Sequence, residues 1–245
     1  MEDPKFSFKV AVFNMEGVSS ISIIDPLISE ISTTSPDIVI FTNVWTEVHY
    51  TKALFKSLKS RKFAATDTHI ISGPLVRDFL FYKPSPISGP LEVAKISYQK
   101  RHEFFDKVKY GFREYKFSFP FDEPREIIIK TFTFPPEIES YKKEFHIEHI
   151  TKGETNLKIP ELIISDFRIS SWDVKDYIPK GWKDPYDFVG GNSEDQNYNE
   201  DRRDRIWFRD RTAVPISMSS AIINDPHNKL NGEKKITIAE FGFKL

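Results

Sequence analysis

Apolar and polar positions alternate with period two in residues 6–13 (FSFKVAVF), which puts Phe6, Phe8, Val10 and Val12 on one face of a predicted strand. Residues 37–41 (DIVIF) form a continuous apolar run, the pattern of a strand buried on both faces. Between them, Leu27, Ile28 and Ile31 recur at helical spacing, so a short helix is expected over 25–32, broken at Ser35-Pro36. A second helix is expected over 47–60, with Tyr50, Leu54, Phe55 and Leu58 on one side. Residues 63–71 and 78–83 (DFLFYK) read as hairpin arms around Ser72-Gly73-Pro74, and the proline-rich 84–90 reads as a loop. Further strands are expected at 91–98 and 113–119, with the charged segment 100–109 solvated between them. Residues 126–134 (EIIIKTFTF) predict a strand, followed by a helix that starts at Pro135-Pro136 and carries Ile138, Tyr141, Phe145 and Ile150. Residues 162–165 predict a short buried strand that ends at Asp166.

The stretch 184–210 begins with acidic and aromatic residues and continues as a loop rich in Gly, Asn and Asp. It ends in an alternating strand, with Ile206 and Phe208 on one face and Arg205, Trp207 and Arg209 on the other. Asp204 stands where loop becomes strand, a position that holds a functional side chain at a sheet rim. Residues 236–243 predict the last strand. There is no internal repeat and no linker, so the 245 residues read as one mixed α/β domain, 1–245.

Composition narrows the chemistry. Lys plus Arg is 35 and Asp plus Glu is 36, a net charge of −1, so a nucleic-acid site would have to be a local basic patch. The absence of cysteine excludes disulfides, thiolate metal sites and a cysteine nucleophile. No run approaches the ~18 apolar residues of a membrane helix, and the acidic N-terminal residues lack a signal-type apolar core. The expectation is a soluble intracellular protein with no membrane contact. His146 and His149 have metal-like spacing but no third ligand, and read as solvated helix residues.

Three predicted strands end in a polar residue: Asn14, Asn43 and Asp166. Phe13-Asn14, the strand 36–41, the arm 78–83, Ser165-Asp166-Phe167 and the loop-strand pair 184–190 and Asp204-Arg205-Ile206 occur in that order. Together they resemble the endonuclease/exonuclease/phosphatase superfamily, and with Tyr198-Asn199 they resemble most its 5′-tyrosyl-DNA phosphodiesterase branch. The inositol-polyphosphate 5-phosphatases are the second resemblance. It implies a deoxyribonuclease I-like, four-layer α/β/β/α sandwich. It also implies Mg²⁺-dependent phosphoester hydrolysis, with a metal-binding Glu after the second strand, a water-activating Asp and two histidines.

The sequence departs from that pattern. The Glu falls on Asn43, the central-strand His within Thr131–Phe134, the motif Asn on Arg168, and the terminal Ser-Asp-His on Gly232-Glu233-Lys234. Asn14, Asp166 and Asp204 remain as the remnant catalytic set. Asp225 and His227 could serve only if the enzyme reading holds, and Asn43 and Glu16 are the weak metal candidates. Arg168, Arg205 and Lys130 are the candidate phosphate binders, with Arg168 expected to turn inward against the carboxylates. The resemblance thus implies the fold and argues against the activity. The expected role is a catalytically impaired binding or scaffold component with a protein partner or larger assembly and no cofactor. The alternative is a weak or rewired Mg²⁺-dependent phosphodiesterase acting on nucleic acid, a tyrosyl-DNA-type or an inositol-phosphate substrate.

Overall fold

A computed structural model describes residues 6–18, 20–45, 49–66, 76–85, 87–102, 105–119, 124–132, 140–152, 159–167, 178–185, 189, 204–209, 213–223 and 234–243; at 76–77, 88–102, 105–111, 140–142, 152 and 204 it describes the backbone alone. The chain runs β1 (Ser7–Asn14), α1 (Ile24–Thr34), β2 (Ile38–Trp45), α2 (His49–Ser60), β3 (Ala64–Ala65), β4 (Val76–Tyr82), β5 (Ser88–His102) and β6 (Phe105–Phe119). It continues with β7 (Arg125–Thr131), α3 (Ser140–Lys152), β8 (Glu161–Asp166), β9 (Asp204–Phe208), β10 (Ala213–Ile223) and β11 (Lys234–Phe243).

These strands form two sheets, ordered β10-β11-β1-β2-β4-β3 and β5-β6-β7-β8-β9. Alternation along each strand sorts side chains into three apolar layers. From β1 and β2, Phe8, Val10, Val12, Ile38 and Ile40 meet Tyr115, Ile127, Ile129, Leu162, Ile164, Ile206 and Phe208 between the sheets. The opposite faces of β1 and β2, through Ala11, Phe13, Val39 and Phe41, pack under Leu27, Ile28 and Ile31 of α1 and Leu54 and Leu58 of α2. On the far side of the second sheet, Ile163, Phe167 and Trp207 pack with Ile147 and Ile150 of α3. The order is helices, sheet, sheet, helix: the expected four-layer α/β/β/α sandwich. Each fully buried aliphatic or Phe side chain contributes about 1.5–3 kcal/mol of burial free energy.

α1 stops because Ser35 turns left-handed, φ 50°, while its N–H still donates to Ile31 O at 3.0 Å, and Pro36 follows. Three sequence expectations change. The strands expected at 91–98 and 113–119 run longer: β5 and β6 continue through most of the charged segment 100–109, pairing Lys100 with Val108 and His102 with Phe105. Ser88 to Pro90 begins a strand rather than ending a loop. β10 has no counterpart in the sequence reading, because its Pro and three serines hide any alternation. The start of the third predicted helix, at 135–139, lies outside the described residues.

Candidate functional site

Asn14, Asn43 and Asp166 are brought together at one end of the sandwich, and they join the two sheets. Asn14 closes β1 on its inner face, two residues after Val12. Asp166 closes β8 in the same way, two residues after Ile164, while Phe167 is anchored outward against Trp207 (ring centroids 4.1 Å) and Phe132 (5.1 Å). Asn14 Nδ2 donates to Asp166 Oδ2 at 3.1 Å, and Asn43 Nδ2 donates to the same oxygen at 2.7 Å. Asn43 Nδ2 also donates to Asn14 Oδ1 at 3.1 Å, and that oxygen accepts the Glu16 N–H at 2.8 Å.

Asn43 reaches this position through a bulge. Alternation after Phe41, which faces α2, would turn residue 43 outward. Instead the β2–β4 register shifts between Phe41 and Val44, and Asn43 has φ 54°. Asn is among the few residues that adopt this left-handed region readily. Its N–H, displaced from the ladder, donates to Asp78 Oδ1 at 3.1 Å from the neighbouring β4. Asp78 is therefore a positioning residue that the sequence reading had left without a role. Beside it, burial pushes the phenol of Tyr115, on β6, upward; the Arg113 charge opposes this, and the Asp78 charge adds to it.

Glu16 lies in the turn after β1, closed by Val18 N–H to Met15 O at 3.1 Å with Gly17 at φ 71°. The Glu16 carbonyl accepts from the ammonium of Lys234, the residue that the resemblance sets at the terminal His. Asp204 pairs with Asp166 across the β8–β9 ladder, so its backbone belongs to this end of the sheet. Arg168, Asp225, His227, Tyr198, Asn199, Gly232 and Glu233 lie outside the described residues.

Lys130 and Arg205 occupy the other face of the second sheet, away from Asp166. Lys130 follows the inward Ile129 and therefore points outward beneath α3, 2 % exposed. Its ammonium lies 3.8 Å from Glu114 and 4.0 Å from Glu161, and it donates to Ile150 O at 3.3 Å. Burial lowers its pKa, and the two carboxylates oppose that. Arg209 shares Glu161 at 3.7 Å, donates to Thr151 O and stacks 4.6 Å over Trp182. Arg205 is buried against Asp184 at 3.7 Å. Alternation placed Arg205 and Arg209 together on the face opposite Ile206 and Phe208, but that face is covered. Lys130 and Arg205 are thus structural cations and no part of a solvent-facing phosphate rim. His146 is likewise buried rather than solvated: burial, with His149 adding to it, lowers its pKa to about 3, and its ring packs edge-on against Phe132 at 4.6 Å.

Two facing sheets, flanking helices and polar residues gathered at strand ends define the class: the chain has the deoxyribonuclease I-like fold of the endonuclease/exonuclease/phosphatase superfamily. An endonuclease/exonuclease/phosphatase family protein from Bacteroides thetaiotaomicron is similar over 98 % of this chain and 99 % of its own, with TM-score 0.73 and 14 % identity. TDP2 of D. rerio, complexed with single-strand DNA product, is similar over 96 % of this chain and 99 % of its own, with TM-score 0.69 and 13 % identity. The human Nocturnin catalytic domain with bound sulfate anion is similar over 100 % of this chain and 96 % of its own, with TM-score 0.67 and 13 % identity. At such identities the likeness is one of fold. No protein-family model matches the sequence, and no curated protein matches it.

The resemblance implies Mg²⁺, which takes oxygen ligands in near-octahedral geometry. The described residues do not fit it. Asn43 turns its NH₂ group toward Asp166. Without a cation, exchanging its oxygen and nitrogen would set three acceptors against one another, so the hydrogen-bond network itself favours this orientation. Asn14 Oδ1 already serves two donors. Among the described residues no three His, Asp or Glu side chains cluster as a metal site, and Glu16 is no exception.

Proposed function

We propose that this protein is a non-catalytic binding or scaffold component built on the endonuclease/exonuclease/phosphatase sandwich, working with a protein partner or a larger assembly inside the cell. The observation that carries this reading is the amide of Asn43, which donates to Asp166 where the resemblance expects a metal-binding Glu. A carboxylate that accepts two amide protons is oriented and partly neutralised without a cation. The cluster then acts as a polar latch at the end of the apolar layer between the two sheets, and the rigid sandwich presents its loops and edges to partners. The burial of Lys130 and Arg205 removes two cations from any phosphate-binding rim and weighs against a nucleic-acid role. No described helix is long and apolar enough to cross a membrane.

The test is hydrolysis with excess Mg²⁺ on three substrates: a chromogenic phosphodiester, a 5′-tyrosyl oligonucleotide and an inositol polyphosphate. The expected result is a rate equal to that of Asp166→Ala for all three, and no magnesium binding by calorimetry. Asn43→Glu is expected to remain inactive, because it restores one ligand and neither histidine. A Mg²⁺-dependent rate that Asp166→Ala abolishes would overturn the proposal and establish the phosphodiesterase reading.

A further inference from the structure

We propose that the outer edge of β10 pairs with its own copy, joining two molecules through an antiparallel seam centred on Ser220. Four strands end the two sheets, and three of them are protected. β3 is two residues long. β5 carries Glu92, Lys95, Lys100 and Arg101. β9 exchanges two hydrogen bonds of 2.9 Å with Lys183 through Phe208. β10 is eleven residues long and contains no charged residue. Unprotected edges of this kind are templates for another strand. Among the described residues nothing hydrogen-bonds its outer edge.

The occupant follows from the strand itself. Pro215 and the register shift between Pro215 and Ser217 interrupt the ladder, leaving Ser217 to Ile223 as the regular part. Its midpoint is Ser220. A two-fold axis there sets Met218 against Ile222 of the second copy, Ser220 against itself, and Ile222 against Met218 of the second copy. Met218, Ser220 and Ile222 share one face, because their β11 neighbours are Ala239, Thr237 and Lys235. Large apolar therefore meets large apolar, and small polar meets small polar. Ile222, 47 % exposed in the single molecule, gains the cover that it lacks. No charge on the strand opposes its own copy, and the net charge of −1 provides no long-range repulsion. A seven-residue seam of about 24 Å is smaller than a standard interface, so the dimer is expected to depend on concentration. This inference does not use the Asn43 cluster and stands or falls separately from it.

The chain contains no cysteine, so Ser220→Cys introduces a single thiol. The two-fold pairing sets the two Cα atoms about 4.5–5.5 Å apart, within disulfide range. Under mild oxidation Ser220→Cys should yield a disulfide dimer at least about tenfold faster than Ser217→Cys, whose thiols would lie some six residues apart along the seam. Sedimentation equilibrium of the full chain should show a monomer–dimer equilibrium that Ile222→Lys weakens at least about tenfold. Reduced Ser220→Cys should melt like the parent, which separates a failed seam from a failed fold. A strictly monomeric parent, equal cross-linking at both positions, or a dimer indifferent to Ile222→Lys would overturn the proposal, as would an edge that captures only foreign extended peptides.

Discussion

Asn43→Asp is the sharpest probe of the latch, because it changes two protons and a charge and almost nothing else. Asp tolerates the left-handed backbone nearly as well as Asn, so φ 54° adds little cost. The new oxygen would stand 2.7 Å from Asp166 Oδ2 in a site where both residues are 2 % exposed. Two unit charges at that separation repel by about 6 kcal/mol even with an effective dielectric of roughly 20. Protonating an ordinary aspartic acid at neutral pH costs about 4 kcal/mol, so the introduced carboxyl takes up a proton instead. Its pKa is raised in the folded state, and the sign follows: the deficit is largest at neutral pH and shrinks as pH falls, by about 1.4 kcal/mol per unit. Once protonated, the carboxyl can donate to Asp166 and restore one hydrogen bond. For a chain of this length the deficit corresponds to a melting temperature about 10 °C lower at neutral pH. Thermal melts across mildly acidic to neutral pH, with and without Mg²⁺, measure it. A pH-independent deficit, or none, would mean that the amide of residue 43 does not face Asp166. A large recovery with Mg²⁺ at neutral pH would mean that a metal site had been formed, and the latch reasoning would fail.

His146 is held neutral by burial, with a pKa near 3 against 6.5 in the open chain, so its contribution is present above 6.5 and lost as pH falls toward 3. His146→Phe should flatten the acid limb of a urea-denaturation series, and an unchanged limb would count against the assignment. Glu161→Gln leaves Lys130 and Arg209 facing each other without their shared carboxylate and should cost about 3–5 kcal/mol in chemical denaturation, whereas a loss below about 1 kcal/mol would show that the pair is hydrated. Gly17→Ala should cost about 1 kcal/mol from backbone strain alone, since its Cβ would meet only Lys234 Nζ at 3.8 Å; a much larger loss in melting experiments would indicate a clash.

Much of this arrangement is written in local pattern. DIVIF is buried on both faces, as its unbroken apolar run implies, and Arg205 and Trp207 share a face opposite Ile206 and Phe208. Period and composition decide such matters within one strand. Asn43 shows where local pattern ends: its inward turn depends on one positive φ and on Asp78, thirty-five residues away. Lys130 shows a second limit. Alternation assigns its face, but whether water or a helix lies above that face is settled by tertiary packing. β10 shows a third, since AVPISMSSAII has neither helical nor strand periodicity and becomes a strand because β11 offers it an edge.

The two outer layers of the sandwich are fastened differently: the α3 side adds an ion cluster to its apolar contacts, and salt and pH should tell them apart. α1 and α2 are held by an aliphatic and aromatic surface, whereas the C-terminal turn of α3 is fixed by Lys130 and Arg209 on the carbonyls of Ile150 and Thr151, with Glu161 between them. Ionic attachment, unlike apolar attachment, responds to salt and to protonation of its carboxylate. In concentrated salt or at extreme pH, amide exchange should therefore show α3 opening before α1 and α2. One domain would then carry a charge-insensitive face and a charge-sensitive face, set back to back across the same pair of sheets.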